Sequence, residues 1–177
     1  HDAEPLSLRG DAYRHNRKFD KAIADYTAAI QLDPQYAQAY EGRAWAYEEQ
    51  GELDKAIADM TSAIRISGQA AYYDIRGREY KQMGDLDKAF ADFSEAIRIW
   101  PEDASAFLWR GMVREKKGEL DAAIDDYTRA IRLRPRYAFA YQHRGHAYEA
   151  KGDHYKAEAD FAKAKKIGYT FSVDSKE

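Results

Sequence analysis

A sixteen-residue phrase recurs through this 177-residue chain and constrains its fold more than any other feature. It reads FDKAIADYTAAIQLDP at 19–34 and LDKAIADMTSAIRISG at 53–68, with further copies at 86–101 and 120–135. Four glycines, at positions 51, 84, 118 and 152, follow the same spacing of 33 or 34 residues. A period of this length is typical of helix–turn–helix units that stack on one another, because a single unit cannot bury its own apolar face.

The period divides the chain into five repeats of two helices each and predicts an all-α protein of ten helices. The repeats are 3–36, 37–69, 70–103, 104–137 and 138–171, and the second is one residue short near Ser67 and Gly68. The remaining residues, 172–177, are polar and are predicted to form a C-terminal tail.

Large and small residues recur at spacings of four and three, which places them on one face of each predicted helix. In the first helix of repeat 3 these residues are Tyr73, Gly77 and Tyr80, and the other repeats follow the same order, with Arg114 in place of Tyr in repeat 4. In the second helices Ala, a large residue and Ala follow one another, as in Ala89, Phe93 and Ala96. Small residues that face each other allow two helices to approach closely, while large residues fill the remaining space.

The turn between the two helices of a repeat has its own pattern. The four periodic glycines are expected to end the first helices in the left-handed conformation. Repeat 1 has Arg17 at that place, so Asn16 is expected to take the conformation there. Four aspartates are expected to be N-caps of the second helices: Asp20, Asp54, Asp87 and Asp121. In repeat 5 the cap is expected from Asp153.

Composition excludes several classes of site. Hydrophobic residues make up 45% of the chain and charged residues 33%, which is typical of a soluble globular protein. The chain has no cysteine, which excludes disulfides and thiolate metal sites, and its net charge of −3 gives no overall attraction to nucleic acid. No apolar run is long enough for a membrane span. The compartment stays open, cytoplasmic or exported after loss of a signal peptide, and so does the presence of sequence before His1.

Two charged residues recur once in every repeat. The arginines are Arg9, Arg43, Arg76, Arg110 and Arg144, and the aspartates are Asp25, Asp59, Asp92, Asp126 and Asp160. A site that reads a ligand should vary along the chain, because the ligand is not itself periodic. We therefore interpret these residues as a structural ladder of Arg–carboxylate pairs between helices, formed either within a repeat or between neighbours.

The segments AYEGRAWAYEEQGELDKAIADMTSAI and AFLWRGMVREKKGELDAAIDDYTRAI resemble the tetratricopeptide repeat (TPR) family, and the resemblance extends over all five repeats. Three positions depart from the family pattern: Arg114 replaces Tyr, and Gly68 and Tyr169 each replace Pro. The resemblance implies a right-handed α-solenoid of antiparallel helix pairs, a TPR superhelix that forms one domain over 3–171. It also implies that the first helices line the concave side.

The resemblance further implies a partner-binding groove, in which the repeats differ. Its residues would be Asp11, Arg14, Glu41, Trp45, Glu48, Glu49, Asp74, Arg78, Lys81, Leu108, Met112, Glu115, Phe139, Gln142 and His146. The first two repeats are acidic around Trp45, the third is basic, and the fourth is apolar at Leu108 and Met112. The expected function is a non-enzymatic interaction scaffold for a protein or peptide with basic and apolar side chains. The alternative is a self-associating module that assembles a homo-oligomer through its repeat ends or through Trp45 and Trp109.

Other functions have little support in the sequence. Chaperone-tail adaptors of the family hold a terminal carboxylate with Lys, Asn and Arg, and no register of this chain reproduces that clamp. His143 and His146 could begin a metal site, but no second group of ligands stands out. There is no phosphate-binding loop or nucleophile motif, and the basic residues of the later second helices lack interleaved aromatics. We therefore expect no enzymatic activity, no cofactor, no metal and no nucleic-acid partner.

Overall fold

Ten α-helices make up the computed structural model, which describes residues 3–168, and no strand occurs among these residues. The helices are α1 (Ala3–His15), α2 (Phe19–Leu32), α3 (Ala37–Glu49), α4 (Leu53–Ser67), α5 (Ala70–Met83), α6 (Leu86–Ile99), α7 (Ala104–Lys116), α8 (Leu120–Leu133), α9 (Ala138–Ala150) and α10 (His154–Ile167). The prediction of an all-α chain with ten helices is confirmed for this range. The predicted tail, 172–177, and Tyr169 lie outside the described residues.

The helices divide into two compact units, one ending at Ile99 and the other beginning at Trp100. In the first unit α1 pairs with α2, α3 with α4 and α5 with α6, while α3 also packs on α2 and α5 on α4. In the second unit α7 pairs with α8 and α9 with α10, and α9 packs on α8. Each unit is therefore a stack of helix pairs, with one pair for each sequence repeat.

Each helix pair closes on a small residue that faces a large one. A Cβ atom added at Gly77 would lie 2.9 Å from Cε1 of Phe93, which is too close for the two atoms. In repeat 2 the small residue is Ala44, and the large one is the more flexible Met60, in the same apolar cluster. Compared with Gly77 and Phe93, the pair in repeat 2 has one more methyl group on the small residue and a flexible side chain in place of the rigid ring. The two changes compensate each other, as close packing requires.

The second helices of repeats 1 to 4 begin two residues earlier than the predicted N-caps imply. The carbonyl of Glu52 already accepts the amide of Ala56 at 3.1 Å, so helical hydrogen bonding starts before Asp54. The predicted caps Asp20, Asp54, Asp87 and Asp121 lie inside the first turn instead. There their carboxylates interact favourably with the positive end of the helix dipole. Asp153 is the N-cap of α10, as expected, and accepts the amide of Lys156 at 3.2 Å.

The left-handed residue of the first turn is Arg17, with φ of 56°, and the prediction of Asn16 was wrong. Asn16 instead uses its side-chain amide to donate to the carbonyl of Ala12 at 2.9 Å, near the end of α1. The turn keeps the length that it has in the other repeats, so the left-handed place falls on Arg17. At the corresponding place the next turn has Gly51, with φ of 77°, which adopts this conformation without a Cβ clash.

Every repeat contains the same two-pronged ion pair between its first and second helices. Nε and Nη2 of Arg43 donate to the two carboxylate oxygens of Asp59, both at 2.8 Å. The equivalent pairs, with distances between 2.7 and 3.0 Å, are Arg9–Asp25, Arg76–Asp92, Arg110–Asp126 and Arg144–Asp160. Each pair thus joins residues of one repeat, which the sequence had left open.

The same arginines also connect neighbouring repeats inside each unit. Nη1 of Arg43 donates to the hydroxyl of Thr27, in the preceding repeat, at 2.9 Å. Arg76 reaches Thr61, and Arg144 reaches Thr128, at the same distance. One guanidinium therefore fixes the spacing of three helices, because its planar fork has separate donors for each partner.

We expect Arg43→Ala to lower the free energy of unfolding by about 3–5 kcal/mol, because it leaves the carboxylate of Asp59 buried without its cation. The matched control is Arg9→Ala, whose side chain is 59% exposed, against 16% for Arg43. Its loss should be clearly smaller, and urea denaturation followed by circular dichroism measures both. Equal losses would contradict the importance of burial.

We expect Gly77→Ala to lower the free energy of unfolding by about 1–3 kcal/mol, because the new methyl group overlaps the ring of Phe93. Adding Phe93→Met recreates the Ala44–Met60 combination of repeat 2. In a double-mutant cycle from urea denaturation, the double variant should therefore lose less than the sum of the two single variants. Simple additivity would show that this contact does not limit the helix spacing.

Candidate binding surface on the first helices

In the first unit, the predicted groove residues lie on α1, α3 and α5. They are Asp11, Arg14, Glu41, Trp45, Glu48, Glu49, Asp74, Arg78 and Lys81, and we call them the first-helix surface. All of them are half-buried except Glu49, which is exposed. The opposite sides of these helices are occupied by the helix-pair packing, so this surface is where the repeats differ.

Trp45 lies at the centre of the first-helix surface and brings its three helices together. The guanidinium carbon of Arg14 on α1 lies 6.0 Å from the ring centroid, and that of Arg78 on α5 lies 5.7 Å away. A cation over an aromatic face is attracted by the negative potential of the ring. The indole is thus held between two cations, with part of its surface still accessible.

A cavity of ≈ 290 Å³ opens beside Trp45, between α1 and α3. Its lining consists of Ser7, Asp11, Arg14, Tyr36, Gln38, Glu41, Gly42 and Trp45. Asp11 accepts a hydrogen bond of 2.7 Å from the hydroxyl of Tyr26, and burial together with this bond raises the pKa of Tyr26. Burial also raises the pKa of Glu41. The cavity is therefore lined by two carboxyl groups and one arginine.

The charges of the first-helix surface are only partly compensated within the protein. Arg14 lies 3.7 Å from Asp11, Arg78 lies 3.5 Å from Asp74, and Arg17 lies 3.8 Å from Glu49. Glu41 and Glu48 form no ion pair within residues 3–168. The surface therefore has acidic groups next to Trp45 that a cationic ligand could neutralise.

In the second unit, the predicted groove residues lie on α7 and α9. Leu108 is only 4% exposed, so it offers little surface to a ligand, while Phe139 is 51% exposed. Met112 and Gln142 are half-buried, and Oε1 of Gln142 is buried without a hydrogen-bond partner in the described chain. The apolar character expected for this region thus comes from Met112 and Phe139 rather than from Leu108.

Glu115 has a packing role that the sequence analysis did not identify. The hydroxyl of Tyr127, a fully buried residue of α8, donates to Glu115 at 2.5 Å. Nδ1 of His143 lies 3.5 Å from the same carboxyl oxygen. Although burial opposes ionisation, these two neighbours lower the pKa of Glu115. The signal in the sequence was the Tyr at position 127, because Phe at 93 and 161 carries no hydroxyl that needs a partner.

Glu79 on α5 was also missed, and it is the least expected residue of the first unit. It is 1% exposed, and neither carboxyl oxygen has a hydrogen-bond partner among the described residues. The equivalent residues of the other repeats are Ala12, Ala46, Val113 and Ala147. Burial raises the pKa of Glu79 to about 8, and the nearby charge of Glu48 adds to the shift. A Glu at a place otherwise held by Ala or Val was the available signal.

Residues 3–168 contain neither a cluster of metal ligands nor a helix suited to crossing a membrane. No three His, Asp or Glu side chains of residues 3–168 lie close enough together to hold a metal ion. His146 lies beside the ring of Phe161, with the centroids 5.0 Å apart, and 3.6 Å from Glu149. Within that range, no helix combines the length and the apolar character that crossing a bilayer requires.

We expect Glu115→Ala to lower the free energy of unfolding by about 1–3 kcal/mol, because it leaves the buried hydroxyl of Tyr127 without an acceptor. Glu149→Ala is the matched control, since Phe161 of that repeat has no hydroxyl. Its effect should be within about 0.5 kcal/mol of zero, as for most surface changes. Chemical denaturation gives both values, and a similar loss in the two variants would contradict this role of Glu115.

Several solved structures share the fold of this chain, although no curated protein sequence matches it. A crystal structure of MamA is 29% identical, with a TM-score of 0.83 over 89% of this chain and 93% of that one. MamA residues 41 to the end from Desulfovibrio magneticus RS-1 are 15% identical, with a TM-score of 0.85 over 94% of this chain and 95% of that one. YrrB, described as a TPR protein with an unusual peptide-binding site, is 23% identical, with a TM-score of 0.77 over 94% and 87%.

Family models agree with this likeness. One tetratricopeptide repeat model matches residues 7–71 and 76–140, and a second matches residues 140–167. Together they cover most of the chain and all five of its repeats. The chain therefore belongs to the tetratricopeptide repeat family.

Proposed function

We propose that this protein is a non-enzymatic interaction scaffold and that its first-helix surface binds a peptide or helical segment of a partner. The observation that carries the proposal is Trp45, half-buried between Arg14 and Arg78 beside two acidic groups without ion pairs. Aromatic and Arg side chains contribute most to binding when they lie at the centre of an interface. The fold neighbour YrrB, described as a TPR protein with an unusual peptide-binding site, supports this type of function through its fold alone.

The expected partner segment carries basic and apolar side chains. Basic groups would neutralise Glu41 and Glu48, and an apolar group would pack on the accessible part of Trp45. Taken by itself, the second unit has Met112 and Phe139 as its own apolar groups on the first helices. This chemistry differs from that of the chaperone-tail clamp, which requires cations on the scaffold to hold a carboxylate.

We expect the double variant Trp45→Ala with Arg78→Glu to lose the proteins that the wild-type chain captures from its native lysate. Each captured protein is then purified and titrated by calorimetry, and the affinity should fall at least about tenfold because central interface residues are removed. Urea denaturation checks that the variant stays folded, since Trp45 also packs against an apolar cluster.

The matched control is Leu32→Ala with Arg65→Glu, two exposed residues on the second helices of the same unit. This control should keep the wild-type affinity. Glu48→Lys is a second probe, because it reverses one acidic charge without removing Trp45, and it should also weaken binding. Unchanged capture by the Trp45 and Arg78 variant would show that the surface is assigned wrongly.

Self-association stays the second candidate, and the outer side of α1 favours it. Leu8 is 61% exposed there, and the side chain of Arg9 is far more exposed than that of Arg43. Trp45 and Trp109, the tryptophans expected to mediate self-association, are half-buried, while Trp100 is 56% exposed. Sedimentation velocity at several concentrations separates the two candidates. The sedimentation coefficient of a self-associating chain rises with protein concentration, whereas that of a scaffold for another protein stays constant.

A further inference from the structure

Glu79 is a buried carboxyl group that the packing of the first unit does not need. Its place on α5 corresponds to Ala46 on α3, and Ala46 is fully buried. A buried polar group without a hydrogen bond is unfavourable, and a buried unpaired charge is more so. Glu79 is therefore stable in this position mainly as the neutral acid, and burial raises its pKa to about 8.

The charged groups around Glu79 differ in whether they can respond to a ligand. Asp59 on α4 raises the pKa of Glu79, and Arg76 on α5 lowers it. Both already have partners within the protein. Asp59 accepts two hydrogen bonds from Arg43, and Arg76 donates to Asp92 of α6 and to Thr61. Their charges are thus fixed by the ladder.

The other two charges belong to the first-helix surface. Glu48 on α3 raises the pKa of Glu79 more than any other charged neighbour, and Arg78 lowers it. Glu48 has no ion pair among the described residues, and Arg78 lies over Trp45 and 3.5 Å from Asp74, a residue of the same surface. A ligand that changes the charge near Glu48 therefore also changes the proton affinity of Glu79.

We propose that Glu79 is a proton-binding regulator of the first-helix surface, and that a cationic partner side chain next to Glu48 displaces its proton. This inference rests on the proposed function, because it assumes a cationic partner on that surface. By linkage, a ligand that favours the ionised acid must itself bind more tightly when the acid is ionised. Partner binding should therefore strengthen as the pH rises through the titration of Glu79.

The folding stability of the free chain depends on pH in the opposite direction to partner affinity: it falls as the pH rises. Between the ordinary pKa of 4.5 and about 8, the folded chain retains a proton on Glu79 that the unfolded chain has released. Stability from this group is therefore present in full below the lower value and is lost as the pH rises to the upper one. Above that value its contribution no longer changes with pH.

The first experiment uses the free chain and needs no partner. Carbon-13 NMR of the glutamate carboxyl groups, assigned by comparison with Glu79→Gln, should show one group that titrates near pH 8. Glu48→Gln should lower that midpoint and Arg78→Gln should raise it. Glu49→Gln is the matched control, because Glu49 pairs with Arg17, and it should leave the midpoint unchanged.

A midpoint near 4.5 would overturn the inference, and so would a midpoint that Glu48→Gln and Arg78→Gln leave unchanged. Urea denaturation gives an independent readout. The urea midpoint of the wild type should fall between pH 6 and pH 8 more steeply than that of Glu79→Gln. Because both chains contain the same histidines, the difference between them isolates Glu79. Parallel curves would also overturn the inference.

The second experiment adds a penta-lysine peptide as the cationic probe, at pH 6 and pH 8. Its affinity for the wild type should rise with pH, by about tenfold for each unit by which the peptide shifts the midpoint of Glu79, and should rise less for Glu79→Gln. An equal pH dependence in the two chains would overturn the inference. If the peptide does not bind while Glu79 still responds to Glu48→Gln, the cationic partner of the proposed function is wrong and the proton site stands.

Discussion

The close approach of the two helices in each repeat is the constraint on which the rest of the structure depends. At Gly77 the backbone of α5 lies so near the ring of Phe93 that even a methyl group does not fit. This short distance brings the guanidinium of Arg76 within reach of Asp92 on the paired helix. The ladder of ion pairs is therefore possible because small residues set the helix spacing. It stabilises that spacing in turn, because a two-pronged pair tolerates little change in distance.

The same packing decides which residues are left for function. Within the units, α3, α5 and α9 each use one side against the partner helix and another against the preceding repeat, so one row of residues varies between repeats without disturbing the stack. In the first unit this row contains Trp45, Arg78 and Glu48. Because the row has few residues, each one also influences its neighbours, and the effect of Glu48 on the buried Glu79 is an example.

Much of this could be predicted from the sequence. The period of 34, the glycine spacing and the alternation of small and large residues determined the ten helices, and the recurrence of Arg and Asp indicated which residues would serve packing. The errors were local. Asp54 lies within the helix because the carbonyl of Glu52 already begins the hydrogen-bonded turn, and Arg17 rather than Asn16 is left-handed because the turn keeps a fixed length.

Residues that occur only once in the pattern were harder to interpret. Leu108 was expected on the binding surface and is buried, while Glu115, which was expected on the same surface, accepts a hydrogen bond from Tyr127. The sequence by itself determined which residues form each helix and which of them face the neighbouring helices, because the periodic spacing of residues along a helix is a local property. Only the tertiary structure decided that Trp45 lies between Arg14 and Arg78 and that Glu79 is buried without a partner. Those facts depend on which side chains from different helices meet in space, and periodicity along one chain does not specify that.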